Sequence, residues 1–186
     1  MGQIEELFYE NPGKEFYLRQ LSRLTRTPKT TAARTLNQLI KNKLITRNKN
    51  EPYDTYSANT ENPLYKFYKT QDILERIHKS GVIEYIYKHT NPKAIILFGS
   101  CAKGDYTKDS DIDIFVQSNK TNLDLSFKLK HKINLFFETN LNKLSNELLN
   151  NILNGITLHG LIRLERDNEL QSLQKTSSKT RTRRSR

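Results

Sequence analysis

Residues 97–116 read LFGSCAKGDYTKDSDIDIFV, and this stretch decides the fold of the C-terminal part of the chain. The apolar run at residues 93–98, bounded by Pro92 and Gly99, predicts a buried strand. A polar loop follows, and Asp111 and Asp113 then alternate with isoleucines in a second predicted strand, residues 111–116. Because successive side chains of a strand point to opposite faces, we expect both aspartates on one face, roughly 6.6 Å apart.

The loop between these two strands carries groups suited to a phosphate ligand. Gly99 allows a tight turn and a close approach of ligand to backbone, and Ser100 adds a hydroxyl. Lys103 adds positive charge to a short predicted helix whose backbone N–H groups suit phosphate. The carboxylates of Asp111 and Asp113 repel each other unless a cation lies between them, and Mg²⁺ commonly links such carboxylates to substrate phosphates. The stretch therefore predicts a site for a metal-bound triphosphate.

The spacing Gly99-Ser100, ten residues, Asp111-Ile112-Asp113 resembles the signature of the minimal nucleotidyltransferases of the polymerase-β-like superfamily. The resemblance covers about residues 93–160, including the apolar strand at 132–137 and the glycine-bounded segment at 154–160. It implies a mixed-sheet α/β domain that uses Mg²⁺ or Mn²⁺ and an NTP, with ATP expected. By this resemblance Gly99 and Ser100 cradle the triphosphate, and Asp111 and Asp113 are the catalytic, metal-binding pair.

One position departs from the family pattern. Fully equipped members carry a third carboxylate on a later strand, and the corresponding residue here is Asn134. Asparagine adds no negative charge and is no base, and general-base help is typically worth about 10²–10⁴-fold in rate. Two other residues could supply the missing acid: Glu138, roughly 13 Å further along the same strand face, or Asp124 in the preceding segment. Whether the chain is an active enzyme therefore stays open.

The N-terminal third has the pattern of three helices and a hairpin. Apolar spacing predicts a helix that ends at residues 11–13 and a second at about 18–24. A third helix begins with Thr27 as N-cap and Pro28 as its first residue. Residues 44–57 then predict a two-stranded hairpin. This order resembles a winged helix-turn-helix domain over residues 3–60, which implies that the third helix enters the major groove of DNA.

The polar face of the third helix and the hairpin supply the predicted nucleic-acid contacts: Lys29, Thr30, Arg34, Asn37, Gln38, Lys41, Arg47 and Lys49. The charge distribution supports this interpretation. Residues 1–70 carry 12 Lys and Arg against 7 Asp and Glu, whereas residues 71–170 carry 13 of each. A local excess of positive charge attracts nucleic acid. The alternative is a winged helix that only docks to another protein.

The predicted class is α+β, with four segments. These are a winged helix-turn-helix domain (1–61), a helical connector (62–91) whose aromatics pack between domains, a nucleotidyltransferase-like domain (92–167) and a basic, disordered tail (168–186). A last strand is predicted at residues 161–164. The lone cysteine, Cys101, is expected to be a small packing residue rather than a nucleophile. The absence of a long apolar run and of a signal-peptide pattern predicts a cytoplasmic protein without a membrane span. The oligomeric state stays open.

Two functions follow from these features. The first is Mg²⁺-dependent transfer of NMP, with AMP expected, to a hydroxyl of a macromolecular acceptor. The resemblance adds that this acceptor can be a tyrosine of a HEPN-type toxin, in which case the chain would act as an antitoxin. The second is a DNA-binding transcriptional regulator whose C-terminal domain senses a nucleotide without catalysis. Asn134 favours the regulator, whereas the intact Gly-Ser and Asp pairs favour the transferase.

Overall fold

A computed structural model of the chain describes residues 2–120, 122–125 and 129–162. Within these residues the protein contains seven α-helices and two separate sheets. The smaller sheet belongs to the N-terminal part, and the larger one carries the candidate site. The architecture is therefore mixed α+β, as the sequence predicts.

The N-terminal part combines three helices with a small antiparallel sheet. Its elements are α1 (Gln3–Glu10), β1 (Phe16–Tyr17), α2 (Leu18–Leu24), α3 (Lys29–Lys41), β2 (Ile45–Asn48) and β3 (Thr55–Ala58). The sheet order is β1-β3-β2. The apolar faces of the helices share one core, in which Phe8, Phe16, Leu21 and Leu36 are buried. The rings of Phe8 and Phe16 meet edge to face with centroids 5.3 Å apart, a favourable aromatic geometry.

Two details of this part differ from the sequence prediction. The strand β1 has only two residues, too few for an alternating pattern, yet it pairs with β3 through Phe16 and Tyr56. The N-cap of α3 is Pro28 rather than Thr27. The Thr25 hydroxyl instead donates a hydrogen bond to the Thr27 hydroxyl at 3.0 Å. Thr27 therefore stabilises the turn between α2 and α3 instead of capping α3.

Two helices, α4 (Pro63–Ser80) and α5 (Val82–Thr90), connect the two sheets. They are separated at Gly81, which has a φ of 75°, a value that glycine adopts without strain. Tyr65 is buried and its hydroxyl donates a hydrogen bond to the carbonyl of Phe8 at 2.8 Å, so α4 is packed on α1. The prediction that the connector aromatics pack between domains is wrong for three exposed residues: Phe67, Tyr68 and Tyr87.

The larger sheet has the order β6-β5-β4-β7. The remaining elements are β4 (Ala94–Phe98), α6 (Gly99–Lys103), β5 (Ile112–Gln117), β6 (Ile133–Phe137), α7 (Asn146–Leu153) and β7 (Ile156–Gly160). Strand β4 is antiparallel to β5 and β7, whereas β5 and β6 are parallel. The sheet is therefore mixed, as predicted. The last described strand is β7 at residues 156–160. Residues 161 and 162 of the strand predicted at 161–164 are not in a strand, and residues 163 and 164 lie outside the described part of the chain.

The central strand β4 is buried along its whole length. Ile95 and Leu97 belong to the main core, which extends to α4 and α5, while Ile96 and Phe98 pack with Ile152 of α7 on the other face. A strand covered on both faces explains the continuous apolar run that predicts it. This burial fixes the end of β4, where the candidate site lies.

A buried ionic cluster joins α1 to the loop that precedes β5. The Glu10 carboxylate is 2% exposed, and it accepts hydrogen bonds from Arg76 at 3.1 Å and from Lys130. The backbone N–H of Lys108 donates to the carbonyl of Glu10 at 2.9 Å. Burial opposes ionisation of Glu10, yet the hydrogen bonds from Lys130 and Arg76 hold its pKa below the ordinary value. The N-terminal part is thereby tied to the site-bearing loop.

Among the described residues, no helix has the length and apolarity needed to cross a membrane. The segment predicted to form a basic tail, residues 168–186, lies outside the described residues.

Candidate active site

The site begins where β4 turns into α6. Asp113 of β5 lies opposite Phe98 in the antiparallel register, which places its carboxylate beside Gly99. Gly99 has a φ of +73°, and a Cβ atom at this position would lie 2.8 Å from Asp113 Oδ2. Any other residue would therefore adopt a strained backbone and collide with the carboxylate. Gly99 is required here by both conformation and space.

Asn134 completes a cluster with the two aspartates. In the parallel pairing of β5 and β6, Asn134 is the register partner of Asp113. Its Nδ2 donates to Asp111 Oδ2 at 3.0 Å and to Asp113 Oδ1 at 3.2 Å. Asp111 is exposed, and the other two side chains are half-buried. The structure thus brings together the Asp pair and the asparagine that the sequence places at the third-acid position.

The chemistry of this donor set fits a small divalent cation. Asp111 and Asp113 each direct one carboxylate oxygen at the same atom, the Asn134 amide nitrogen. Carboxylate oxygens are hard ligands, and Mg²⁺ accepts one or two of them together with substrate phosphates. Rotation of the Asn134 amide would replace its N–H donor by a carbonyl oxygen, which is a further ligand of the same kind. Among the described residues, no group of three His, Cys, Asp or Glu side chains is placed to hold a metal ion.

Neither of the two alternative acids reaches the cluster. Glu138 accepts hydrogen bonds from the backbone N–H groups of Thr139 at 2.8 Å and Asn140 at 3.0 Å. The hydrogen bond from Asn140 is the main reason that the pKa of Glu138 is lowered. Its carboxylate therefore stabilises the turn after β6. Asp124 is exposed in the segment before β6, and no contact joins it to Asp111 or Asp113.

The phosphate-binding residues predicted from the sequence lie on α6. Ser100 is partly exposed in the first turn of this helix, next to Gly99. Lys103 is exposed at the other end, and its Nζ donates to Asn151 Oδ1 of α7 at 3.3 Å. The helix has only five residues. Ser100 thus directly follows the glycine that faces Asp113, while Lys103 would have to leave Asn151 to reach a ligand there.

Cys101 is not available as a nucleophile. It is completely buried, and its Sγ donates to the carbonyl of Asp111 at 3.3 Å. Burial raises the pKa of the thiol to about 12, so the reactive thiolate is not populated near neutral pH. Cys101 instead holds the backbone of Asp111, in agreement with the predicted packing role.

His131 is a positioning residue that sequence reasoning missed. Its Nδ1 lies 2.8 Å from the carbonyl of Ser110, directly before the Asp pair. Its Nε2 faces Glu10 Oε1 at 3.8 Å, and its ring packs against Tyr106. Next to His131, the carbonyl of Lys132 accepts a hydrogen bond from the backbone N–H of Ile112 at 2.8 Å. No sequence signal identifies this role, because the partners of His131 are distant in the chain.

The predicted nucleic-acid contacts lie on the surface of the N-terminal part. Arg47 donates through Nε to Asp54 Oδ2 at 2.6 Å, so this guanidinium already has a carboxylate partner. Gln38 lines a depression beside Tyr9 and Tyr68, whereas Lys29 lies at the first turn of α3. All eight residues of the predicted set are exposed: Lys29, Thr30, Arg34, Asn37, Gln38, Lys41, Arg47 and Lys49.

Comparison with known families agrees with this geometry. Residues 80–169 match the model of the family described as "Polymerase beta, Nucleotidyltransferase". The matched segment begins at the end of α4 and includes the whole of the larger sheet with its aspartate pair. The match supports a nucleotidyltransferase domain in this part of the chain and nucleotidyl transfer as its general chemistry. No curated protein and no solved structure gives a significant match to the chain.

Proposed function

We propose that this protein is a Mg²⁺-dependent nucleotidyltransferase that transfers NMP, with ATP as the donor, to a hydroxyl of a macromolecular acceptor. One observation carries the proposal. Asp111 and Asp113 point one oxygen each at a single atom of Asn134, and the other oxygen of Asp113 lies beside Gly99. Two carboxylates that converge near a glycine turn can hold a cation, and the turn lets a phosphate chain approach the backbone beside it.

Each residue of the cluster has a defined task. Asp111 and Asp113 would hold the cation, the Gly99-Ser100 turn would receive the triphosphate, and Lys103 would leave Asn151 to neutralise phosphate charge. Mn²⁺ is the alternative ion for the same oxygen ligands. When bound, Mg²⁺ supplies electrostatic stabilisation of the phosphate charge and alignment of the attacking and leaving oxygens.

The transfer needs no reactant other than the NTP and the acceptor hydroxyl. The acceptor oxygen forms a bond to the α-phosphorus, the bond between the α- and β-phosphates breaks, and pyrophosphate leaves. The acceptor proton passes to water, because Asn134 cannot accept it. Loss of a general base typically lowers the rate by about 10²–10⁴-fold. We therefore expect a slow enzyme whose cation site has two carboxylates and one amide.

The acceptor is the least constrained part of the proposal. The family resemblance allows a tyrosine hydroxyl of a HEPN-type partner, an RNA end or a small molecule as acceptor, and the antitoxin role is the hypothesis that the first of these would test. The helices and strands of residues 3–60 follow the order expected of a winged helix. The exposed basic side chains of this part support the proposal that it binds DNA. DNA binding and modification of a partner would then reside in one chain.

A second function is favoured by Asn134 itself. Its amide donates to both carboxylates, an arrangement that satisfies them without a cation. In this alternative the protein is a DNA-binding transcriptional regulator, and its C-terminal domain senses a nucleotide without turnover. The two functions share the nucleotide site and differ in whether a covalent product forms.

The test is transfer of label from ATP carrying ³²P at the α-phosphate. The protein is incubated with Mg²⁺ or Mn²⁺, tRNA and co-purifying proteins, alongside the Asp111→Ala/Asp113→Ala variant. Asp109→Ala is the matched control, since Asp109 is an exposed aspartate of the same loop. Label on an acceptor with wild type and control, but not with the double variant, supports the transferase. Nucleotide binding without any label, including with Asn134→Asp, refutes the transferase and supports the sensor.

A further inference from the structure

The N-terminal part contains a groove whose lining residues are separate from the aspartate cluster. It has a volume of about 520 Å³ and is bounded by the start of α2, the first turn of α3 and the β2–β3 hairpin. Cavities of about 300–1,000 Å³ accommodate ligands the size of a cofactor or nucleotide. The size of this groove therefore suits one small organic ligand or one unit of a polymer, and not a duplex.

The charge of the groove is strongly positive. Arg19 and Arg23 of α2 and Lys29 of α3 line it together with Arg47 of the hairpin. The single lining carboxylate, Asp54, is paired with Arg47. Within the described part of the chain, no carboxylate forms a salt bridge with Arg19, Arg23 or Lys29. Three cations are thus free to bind an anion.

Two tyrosines give the groove flat apolar surfaces. Tyr17 is 49% exposed and Tyr53 is 60% exposed, and both line the groove. The Arg19 guanidinium lies over the Tyr53 ring, 5.6 Å from its centroid. Exposed aromatic rings beside guanidinium groups are suited to stack a nucleobase while the cations hold its phosphate.

We propose that this groove binds one nucleoside phosphate unit by stacking its base on Tyr17 or Tyr53 and holding its phosphate with Arg19, Arg23 and Lys29. The unit is either a free nucleotide or one nucleotide of a single strand, since both offer an unstacked base and an anionic phosphate. The bases of a duplex are stacked on one another and cannot reach the tyrosine rings. Duplex DNA instead meets the exposed polar face of α3, on which Arg34 and Lys41 lie.

The proposal does not depend on the aspartate cluster. The groove needs no cation, so its binding is measured in EDTA and in the Asp111→Ala/Asp113→Ala background. If the protein transfers no nucleotide, the binding measurement on the groove is still valid. If the groove binds no nucleotide, the label-transfer assay is still valid.

The experiment measures fluorescence anisotropy of a labelled single-stranded oligothymidylate and of a labelled duplex, with ATP, AMP and unlabelled strand as competitors. Stacking is worth about 1–3 kcal/mol per base, so Tyr53→Leu is expected to weaken single-strand binding about 5- to 160-fold. Arg23→Ala is expected to weaken it and to reduce the salt slope by about 0.7. Duplex affinity should stay within twofold for both variants, whereas Lys41→Ala should lower duplex affinity alone. Circular dichroism of each variant verifies the fold.

The competitors distinguish a site for a free nucleotide from a site for a single strand. Competition by ATP or AMP at micromolar concentration identifies a free-nucleotide site, and competition by the unlabelled strand alone identifies a single-strand site; both support the proposal. Equal losses of single-strand and duplex affinity in Tyr53→Leu would make the groove a part of the duplex surface and overturn it. Wild type that binds neither ligand in EDTA would overturn it as well.

Discussion

Asn134 donates a hydrogen bond to Asp113 across directly paired positions of the parallel strands β5 and β6, with an Nδ2–Oδ1 distance of 3.2 Å. The same amide reaches Asp111 at 3.0 Å. An uncharged donor thus occupies the point at which two carboxylates converge. These hydrogen bonds explain how the two carboxylates are tolerated side by side without a cation. When a cation binds, the Asn134 N–H donor must leave the two carboxylate oxygens.

Replacing Asn134 by aspartate should convert this hydrogen-bonded cluster into a cation-dependent one. Three carboxylates at one point repel each other, so Asn134→Asp is expected to unfold at a lower temperature than wild type in EDTA. Saturating Mg²⁺ should reverse the loss, because a ligand at 100 times its Kd stabilises by about 2.7 kcal/mol. Differential scanning calorimetry with and without Mg²⁺ measures both effects. Asn37→Asp, a surface change on α3, serves as control, and an equal Mg²⁺ response in both variants would contradict the account.

Replacing Gly99 by alanine should damage the site and the fold together. The left-handed backbone costs a non-glycine residue about 1–2 kcal/mol, and the added Cβ would press on Asp113 Oδ2. We expect a lower midpoint in urea unfolding and a loss of Mg²⁺-dependent nucleotide binding. Gly13→Ala is the matched control, since no heavy atom lies within 4 Å of a Cβ at that position. Unchanged nucleotide binding in Gly99→Ala would argue against a ligand at this turn.

Glu10 should make the stability of the protein sensitive to acid. Its folded-state pKa is lowered, so its ionised form contributes stability that is present above the unfolded pKa of about 4.3 and is lost as pH falls through the folded pKa. Glu10→Gln removes one charged partner from Arg76 and Lys130, which keep Asp72 and Glu6. We expect a loss of about 1.5–3 kcal/mol at pH 7, the usual contribution of hydrogen bonds to charged groups. Urea unfolding between pH 3 and 7 should show a weaker acid dependence in this variant.

The control for Glu10 is a surface glutamate with a lysine partner. Glu75 pairs with Lys79 at 2.5 Å on the outside of α4, and exposed pairs of this kind contribute about 0–1 kcal/mol. Glu75→Gln should therefore cost less than Glu10→Gln. If the two variants lost equal stability, the buried cluster would not be the link between α1 and the site-bearing loop.

Cys101 should resist alkylation in the folded protein. Its thiol is buried, and its pKa is raised to about 12, so iodoacetamide at pH 8 is expected to label it only after unfolding in urea. Mass spectrometry of the intact chain counts the adducts. Rapid labelling under native conditions would show that the segment around α6 opens, and the rigid turn assumed for the nucleotide would then be wrong.

The site could be predicted largely from local sequence. The apolar run at residues 93–98 and the alternation of Asp111 and Asp113 with isoleucines determine two buried strands, and strand periodicity places both carboxylates on one face. Asn134 was recognisable from its apolar neighbours. The contact between Asn134 and the pair required the parallel register of β5 and β6, which no local pattern encodes.

Other features depend on residues that are distant in the chain. Glu10 binds Arg76 and Lys130, 66 and 120 positions away, and buried ion pairs of this kind have no periodic signature. The groove between α2, α3 and the hairpin combines three segments, so Arg19 and Tyr53 gave no joint signal.

The most direct test of the central claim is calorimetric titration of ATP into the protein with and without Mg²⁺, using wild type, Asp111→Ala/Asp113→Ala and Asp109→Ala. The difference between the two conditions isolates the aspartate site from any cation-independent binding in the groove. We expect a Mg²⁺-dependent binding isotherm for wild type and Asp109→Ala that is absent from the double variant. A Mg²⁺-dependent isotherm that survives in the double variant, or none in wild type, would contradict it.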